Sequence, residues 1–371
     1  MTPITTAQGK SLFMAMELSK KNWKLMLSDG KRFREVNVPA NAQEGLIDQL
    51  ARAKQRFELA SDCPVWSCYE AGREGFWLHR CLSALGIKNL IVDPASIEVD
   101  RRKRRLKTDR IDARKLVTML MRYHLNAEHA LWRIVVVPSE EEEDARRVHR
   151  EMERLKKERT GHLSRLRSLL FLHGITPVSM AKLRVDHLRD WQGKPLSPAL
   201  RAEVLREQER LALVNEQLKS LKHVQVQAIR EPTDKGERVA AKLIAFKGIG
   251  VSSAWVLGKE FFGWRDFKNR RQVGAMAGLV GTPYESGQLR IEQGISKAGS
   301  VRVRYQTIEM AWRWLWYQPQ SDLSLWYMNR FGAGSRRMRR VGIVALARKL
   351  LVALWKYLQW GEIPGGAIMA G

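Results

Sequence analysis

Residues 12–38 read Leu12-Phe13-Met14-Ala15-Met16-Glu17-Leu18-Ser19-Lys20-Lys21-Asn22-Trp23-Lys24-Leu25-Met26-Leu27-Ser28-Asp29-Gly30-Lys31-Arg32-Phe33-Arg34-Glu35-Val36-Asn37-Val38. Three strands can be drawn through them. Leu12 to Glu17 alternates faces and ends on a carboxylate. Trp23 to Leu27 and Phe33 to Val38 flank Asp29-Gly30, a dipeptide that tolerates the positive φ a tight hairpin needs. Moving outward, Ala42 to Arg56 has helical spacing, and Val65 to Tyr69 is a short apolar strand met at once by Glu70. Glu74 to Leu85 reads as a helix stopped by Gly86, and Asn89 to Val92 as a strand closed by Asp93-Pro94. Asp109 to Met121 is again helical.

Three strands in an antiparallel opening, followed by β-α-β-α, is the order expected of a ribonuclease-H-like sheet. The chain continues far beyond it. Its 371 residues suffice for two or three domains with substantial cores. Lys and Arg number 65 against 39 Asp and Glu, a formal charge of +26 that attracts polyanions, nucleic acid first and anionic membrane second. A hydrophobic share of 44% is too high for a disordered basic tail. No uncharged apolar run approaches the roughly 18 residues of a membrane span. Met1 to Lys10 has no signal-peptide core, so a cytoplasmic protein is expected. Cys63, Cys68 and Cys81 form no C-x-x-C pair, which argues against a zinc module or a disulfide framework. The last histidine is His223, so a C-terminal triad or a tyrosine recombinase with a His beside its Tyr lacks its base. No His-x-His pair exists for a replication-initiator type of nuclease.

After Pro138 the pattern changes. Val148, Met152, Leu155, Leu166 and Leu169 follow 4-3 spacing, with Arg159 and His162 in the intervening seam positions. Leu200, Val204, Leu211, Val214, Leu218 and Leu221 repeat it, which is the coiled-coil signature. Gly174 to Pro198 breaks the two arms into a helical hairpin. The last segment begins near Glu231-Pro232 and reads as mainly helical. Expected domains are therefore 1–137, 138–230 and 231–371. Eight of the 13 Trp lie from Trp255 onward and read as core and interface. Trp312, Trp314 and Trp316 spread over more than one helix face, so at least one needs a partner surface.

Four carboxylates stand where chemistry is expected. Glu17 and Glu70 close the first and fourth strands, neighbours in such a sheet, and Asp109 and Asp112 share one face at a helix start. Hard oxygen ligands without His or Cys suit Mg²⁺ or Mn²⁺. Singly, Glu17 and Glu70 also fit as ordinary strand-end acids and Asp109 as a helix N-cap. Jointly, in a chain of this charge, the metal reading is preferred. Arg101, Arg102, Lys103, Arg104, Arg105 and Lys107 form a phosphate-binding stripe just before the two aspartates, or else a solvated loop. Lys247-Gly248-Ile249-Gly250 resembles the hairpin of helix-hairpin-helix modules, and a plain helix C-cap fits it equally. Gly278 to Gly287 is loop-like and precedes Ser296, Lys297, Ser300, Arg302 and Arg304. A serine in such a setting serves as nucleophile or as phosphate ligand.

Met16-Glu17-Leu18-Ser19-Lys20, Tyr69-Glu70-Ala71-Gly72, Lys107-Thr108-Asp109-Arg110-Ile111-Asp112-Ala113 and Gly278-Leu279-Val280 through Ser286-Gly287 resemble, in order, the motifs of the DEDD transposases of the insertion sequence 110/1111 family, which includes the Piv-type invertases. The resemblance implies a RuvC-like N-terminal domain, a coiled-coil middle and a C-terminal transposase domain with a serine nucleophile. It also implies a noncoding guide RNA encoded by the element. The family's four acids fall on Glu17, Glu70, Asp109 and Asp112, and its serine falls best on Ser286, with Ser296 and Ser300 as fallbacks. Glu17 stands where the family most often has Asp, one methylene longer by about 1.5 Å. Gly281 stands where Pro is usual, with Pro283 two places on. The expected function is a site-specific DNA recombinase, homo-oligomeric, acting on element ends and target. A RuvC-like junction resolvase using water and a non-enzymatic helix-hairpin-helix binding protein are the rival readings.

Overall fold

The computed structural model describes residues 11–97, 109–125, 128, 131–177, 179–180, 183–286 and 289–370, with the backbone alone at 95, 109–111, 284–286 and 289–292. The run Arg101 to Lys107 lies outside the described residues. The chain divides into two compact units, Met1–Val137 and Pro138–Gly371.

The first unit is mixed α/β. Strands β1 (Leu12–Leu18), β2 (Asn22–Ser28), β3 (Phe33–Pro39), β4 (Val65–Glu70) and β5 (Lys88–Val92) form one five-stranded sheet of order β3-β2-β1-β4-β5. β1 pairs antiparallel with β2 and parallel with β4, β2 pairs antiparallel with β3, and β4 pairs parallel with β5. The β2–β3 turn forms because Asp29 Oδ1 accepts from the amides of Lys31 and Arg32 at 2.9 and 2.6 Å, while Gly30 takes φ +99°.

Helices α1 (Gln43–Arg56) and α2 (Trp77–Ala84) cover one face of the sheet, and α3 (Asp109–Leu125) covers the other. α1 buries Leu46, Leu50 and Ala53, against Leu12, Met14 and Met16 of β1 among others. α3 buries Ala113, Leu116, Val117 and Leu120, an i, i+3, i+4, i+7 stripe, against Phe13 and Ala15. β1 is therefore central, and its alternation separates two cores instead of core and solvent. α2 begins at Trp77, three residues later than Glu74, because Gly75 turns the chain at φ +62° first.

In the second unit, α4 (Glu140–Asp144) opens on a Ser139 capping box and leads into α5 (Arg147–Phe171). α6 (Pro198–Arg230) starts where Ser197 caps it and Pro198 sets the first turn. Met152 and Leu155 pack with Val214 and Leu218, while Leu166 and Leu170 pack with Leu200, Val204 and Leu211. Residues early in α5 thus meet residues late in α6, so the pair is an antiparallel hairpin. Leu170, not Leu169, is the fully buried end of the α5 seam, and His149 replaces Val148 as its buried start.

The remaining helices are α7 (Lys235–Ile244), α8 (Val251–Leu257), α9 (Arg270–Met276), α10 (Val301–Tyr317), α11 (Asp322–Tyr327) and α12 (Arg336–Trp360). α8 and α11 each run on into a five-residue π-helical turn, Gly258–Phe262 and Met328–Gly332. Their core holds Leu243, Phe246, Phe261, Trp314, Leu350 and Trp355. Trp314 is fully buried and its indole N–H donates to Ser321 Oγ at 2.9 Å, whereas Trp316 is 80% exposed. The stretch expected to be loop between Gly278 and Gly287 is instead partly strand. β6 (Gly281–Ser286) and β7 (Leu289–Ile295) pair antiparallel, with an irregularity between Gly281 and Pro283. Gly and Pro mask the alternation of Thr282, Tyr284 and Ser286 in sequence.

Candidate active site

The parallel register of β1 and β4 pairs Met16 with Tyr69, so Glu17 and Glu70 come next, side by side at the same strand ends. Parity fixes their face. Phe13 and Ala15 on β1 and Cys68 on β4 belong to the core under α3. Glu17 and Glu70 share that parity and are both half-buried. α3 enters over the same face. Leu116 is buried there, its carbonyl oxygen lies 3.8 Å from Cys68 Sγ, and half-buried Asp112 sits one helical turn earlier. Burial, and then the negative charge of Glu70, push the Cys68 thiol up. Asp109 begins α3 and its side chain lies outside the described residues. Among the described residues, no three of His, Cys, Asp and Glu are gathered tightly enough to form a metal-binding group by themselves.

Sequence reasoning missed Lys24. The antiparallel register sets it directly opposite Glu17, and its ammonium pairs with Glu35 at 3.2 Å. Counting back from the Asp29-Gly30 turn would have found it. A lysine there sets a positive charge, shared with Glu35, on the strand next to Glu17.

The hairpin of β6 and β7 brings Ser286 to its last paired position, opposite Leu289. It is anchored at its base by close backbone contact. Gly278 takes φ +67°, and a Cβ there would lie 2.3 Å from the carbonyl oxygen of Ala298. The amide of Ser296 donates to the Val280 carbonyl at 2.8 Å. Ser300 caps α10, its hydroxyl accepting from the Val303 amide at 3.3 Å, so its oxygen already has a structural task. Arg304 donates to the carbonyls of Ala277 and Lys297 at 3.4 and 3.0 Å, and Arg302 donates to Glu153 at 2.7 Å. Both arginines are thereby engaged within the fold, while Lys297 is exposed.

Lys247, Gly248 and Gly250 lie between α7 and α8. Gly248 takes φ +96°, with Tyr317 so near that an added Cβ would sit 3.0 Å from its Cβ. Gly250 caps α8 and Lys247 is exposed. The segment is thus a true turn between two helices. Gly248 is required by that turn, whereas a Cβ at Gly250 would meet only the Arg313 guanidinium at 3.6 Å, an ordinary contact.

Residues 240–324 match the family model described as Transposase IS116/IS110/IS902 family. Over 97% of the chain, the sequence is 40% identical to a putative transposase, y4rJ, of Sinorhizobium fredii, covering 94% of that protein. It is 25% identical to the transposase for insertion sequence element IS1111A of Coxiella burnetii, over 77% of this chain and 75% of that one. It is also 25% identical to the transposase for insertion sequence element IS1533 of Leptospira borgpetersenii, over 79% and 80%. With a relative so similar over almost its entire length, and with strands, carboxylates and serine hairpin in the expected order, the chain belongs to the IS110/IS1111 family of insertion-sequence transposases.

Proposed function

We propose that the protein is a metal-dependent DNA recombinase whose N-terminal unit is a RuvC-like, ribonuclease-H-like nuclease fold and whose nucleophile is Ser286. The observation that carries this reading is the register of β1 and β4. It sets Glu17 beside Glu70 on the face that α3 enters with Asp112. The donors on that face are carboxylates, which fits Mg²⁺ or Mn²⁺ held by Glu17, Glu70, Asp109 and Asp112. When bound, such ions supply neutralisation of phosphate charge and activation of a hydroxyl. The Ser286 hydroxyl oxygen attacks the phosphorus, a new P–O bond forms, and the bond to one deoxyribose oxygen breaks. That oxygen leaves as the strand end, taking up the proton the serine gives up. The resulting phosphoserine link conserves the energy of the phosphodiester until a second strand end reverses the step.

DNA at the element ends and target, a noncoding guide RNA and further copies of this chain are the proposed partners, with the α5–α6 hairpin as a coiled-coil arm between copies. The net charge of +26 supports nucleic-acid binding. Among the described residues, no helix is long and apolar enough to cross a membrane. The test is a denaturing gel of protein with labelled element-end DNA, Mg²⁺ and the element's noncoding transcript. A slow-migrating adduct present in wild type and absent in Ser286→Ala supports the reading. An adduct that persists in Ser286→Ala but vanishes in Ser296→Ala or Ser300→Ala moves the nucleophile. Cleavage without any adduct means that water attacks.

A further inference from the structure

A groove in the second unit is lined by cations that the carboxylate and serine chemistry does not use. It encloses about 1510 Å³ between α12, α9, α11 and the base of the β6–β7 hairpin. One wall is a single face of α12, where Arg337, Arg340, Arg348, Lys349 and Lys356 alternate with small aliphatic residues such as Val344 and Ala345. Arg270, Arg271 and Lys297 face them from the other side. Among the described residues, no carboxylate lines the groove. Lys356 is paired with Glu362 at 2.9 Å, and Lys349 rests over the Trp326 ring at 4.5 Å. Among the described residues, Arg270, Arg271, Arg337, Arg340 and Arg348 have no carboxylate partner. Cations crowded this closely repel one another, and a bound polyanion relieves that.

The floor is apolar. Leu279 is buried there, while Met338 and Val341 are 46% and 53% exposed. Pockets for small ligands enclose about 300–1,000 Å³ and bury most of the ligand, which this larger, open groove does not. A duplex turns phosphates and sugars outward and would leave the apolar floor unmatched. An unpaired strand offers both phosphates for the cations and base faces for the floor. The groove wall includes Gly281, Gly294 and Ile295, so the hairpin that bears Ser286 rises from its edge. Ser286 lies five positions beyond Gly281, about 17 Å along a strand.

We propose that this groove holds the unpaired DNA strand flanking the scissile phosphate. The choice of DNA rests on the serine reading above, whereas the groove's preference for an unpaired strand does not. Binding is measured by fluorescence anisotropy on the full-length Ser286→Ala protein in EDTA, so that no covalent chemistry contributes. The probes are a 20-nucleotide single strand and the duplex of the same sequence, titrated with salt. The variant R337Q/R340Q/R348Q removes three phosphate contacts. At about 0.7 of log–log salt slope per contact on a single strand, the slope should fall by about 2 and affinity at 0.1 M salt by about 100-fold. Duplex binding should fall less than threefold. M338S/V341S should weaken single-strand binding about tenfold and leave the slope unchanged. All these side chains are exposed, so melting curves should match the parent. Unchanged single-strand binding, or equal losses on single strand and duplex, overturns the proposal. The source of the strand is read by photo-crosslinking from p-benzoylphenylalanine at Val341, offered element-end DNA and the element's noncoding transcript in equal amounts. Capture mainly of DNA supports the assignment, and capture mainly of RNA overturns it. If the serine reading alone is wrong, the anisotropy result stands while the wild-type adduct is missing.

Discussion

Replacing Glu260 by glutamine removes one charge from a site where the fold has concentrated several. Glu260 lies in the π-helical turn after α8 and is 5% exposed. It accepts from Arg150 Nε at 2.7 Å and from Arg150 Nη2 at 3.0 Å, and His149 Nε2 stands 2.9 Å away. A carboxylate only accepts, so the proton is on Nε2, and His149 Nδ1 is left without a partner. Burial pushes the Glu260 carboxyl up, but the hydrogen bonds from His149 and Arg150 more than reverse this and hold it at about 2, against an ordinary 4.5. That difference corresponds to about 3 kcal/mol of stability. The folded-state value is the lower one, so the contribution is complete above pH 4.5 and disappears as pH falls towards 2. Glu260→Gln keeps the shape and loses the charge. It should cost about 3 kcal/mol at pH 7 and almost nothing near pH 2. Urea unfolding followed by tryptophan fluorescence reads this directly, because the Trp264 indole donates to the Glu260 carbonyl at 3.2 Å. A cost that stays constant between pH 7 and pH 2 would refute the electrostatic account and assign the loss to packing.

Gly263→Ala sets a Cβ 2.4 Å from the Gly258 carbonyl oxygen and 2.8 Å from Gly236 Cα, both backbone atoms, and should cost about 2 kcal/mol in the same urea experiment. No loss would mean that α7 yields freely. Asp112→Ala should abolish metal-dependent strand exchange while circular dichroism and DNA binding are retained, and exchange at the wild-type rate would put the metal elsewhere. Trp314→Ala empties a fully buried site and should cost about 3–5 kcal/mol, whereas Trp316→Ala, at 80% exposure, should cost under about 0.5 kcal/mol. The reverse order in thermal melts would overturn the assignment of Trp314 to the core.

What could be read from sequence was what local chemistry encodes. The Asp29-Gly30 turn sets the β2–β3 hairpin, and short apolar runs ending in Glu17 and Glu70 put two acids at strand ends. The 4-3 seams of α5 and α6 survive in the structure with one-residue adjustments at each end of the α5 seam. The β6–β7 hairpin was hidden because Gly281, Pro283 and Gly287 signal a loop, while its strand pairing is made with residues beyond the turn. Lys259 was equally hidden. It is almost fully buried, and its ammonium is taken up by Asp234 and Glu237 at the N-terminal end of α7, more than 20 residues earlier in sequence. Burial pushes the Glu237 carboxyl up, yet Lys259 and Thr233 hold it at about 2. The cations of the α12 groove come from three separate segments, so neither a motif nor a periodicity gathers them. Only the tertiary fold does.

Midway along the α5–α6 hairpin, the apolar seam is interrupted by a polar layer at Glu207. Glu207, 4% exposed, stands against His162 Nδ1 at 2.6 Å and takes Arg210 Nη1 at 2.7 Å and Arg165 Nε at 3.2 Å. Leucines tolerate sliding by a heptad, because every layer looks alike to them. A buried carboxylate does not, since any shifted register would bury it among side chains that cannot donate. The arm therefore behaves as a ruler with a stop. Its 25-residue α5 spans about 37 Å, and Glu207 fixes that length against creep. The described residues at the tip, from Phe171 to Pro198, are thereby held at one distance from the helices at the base.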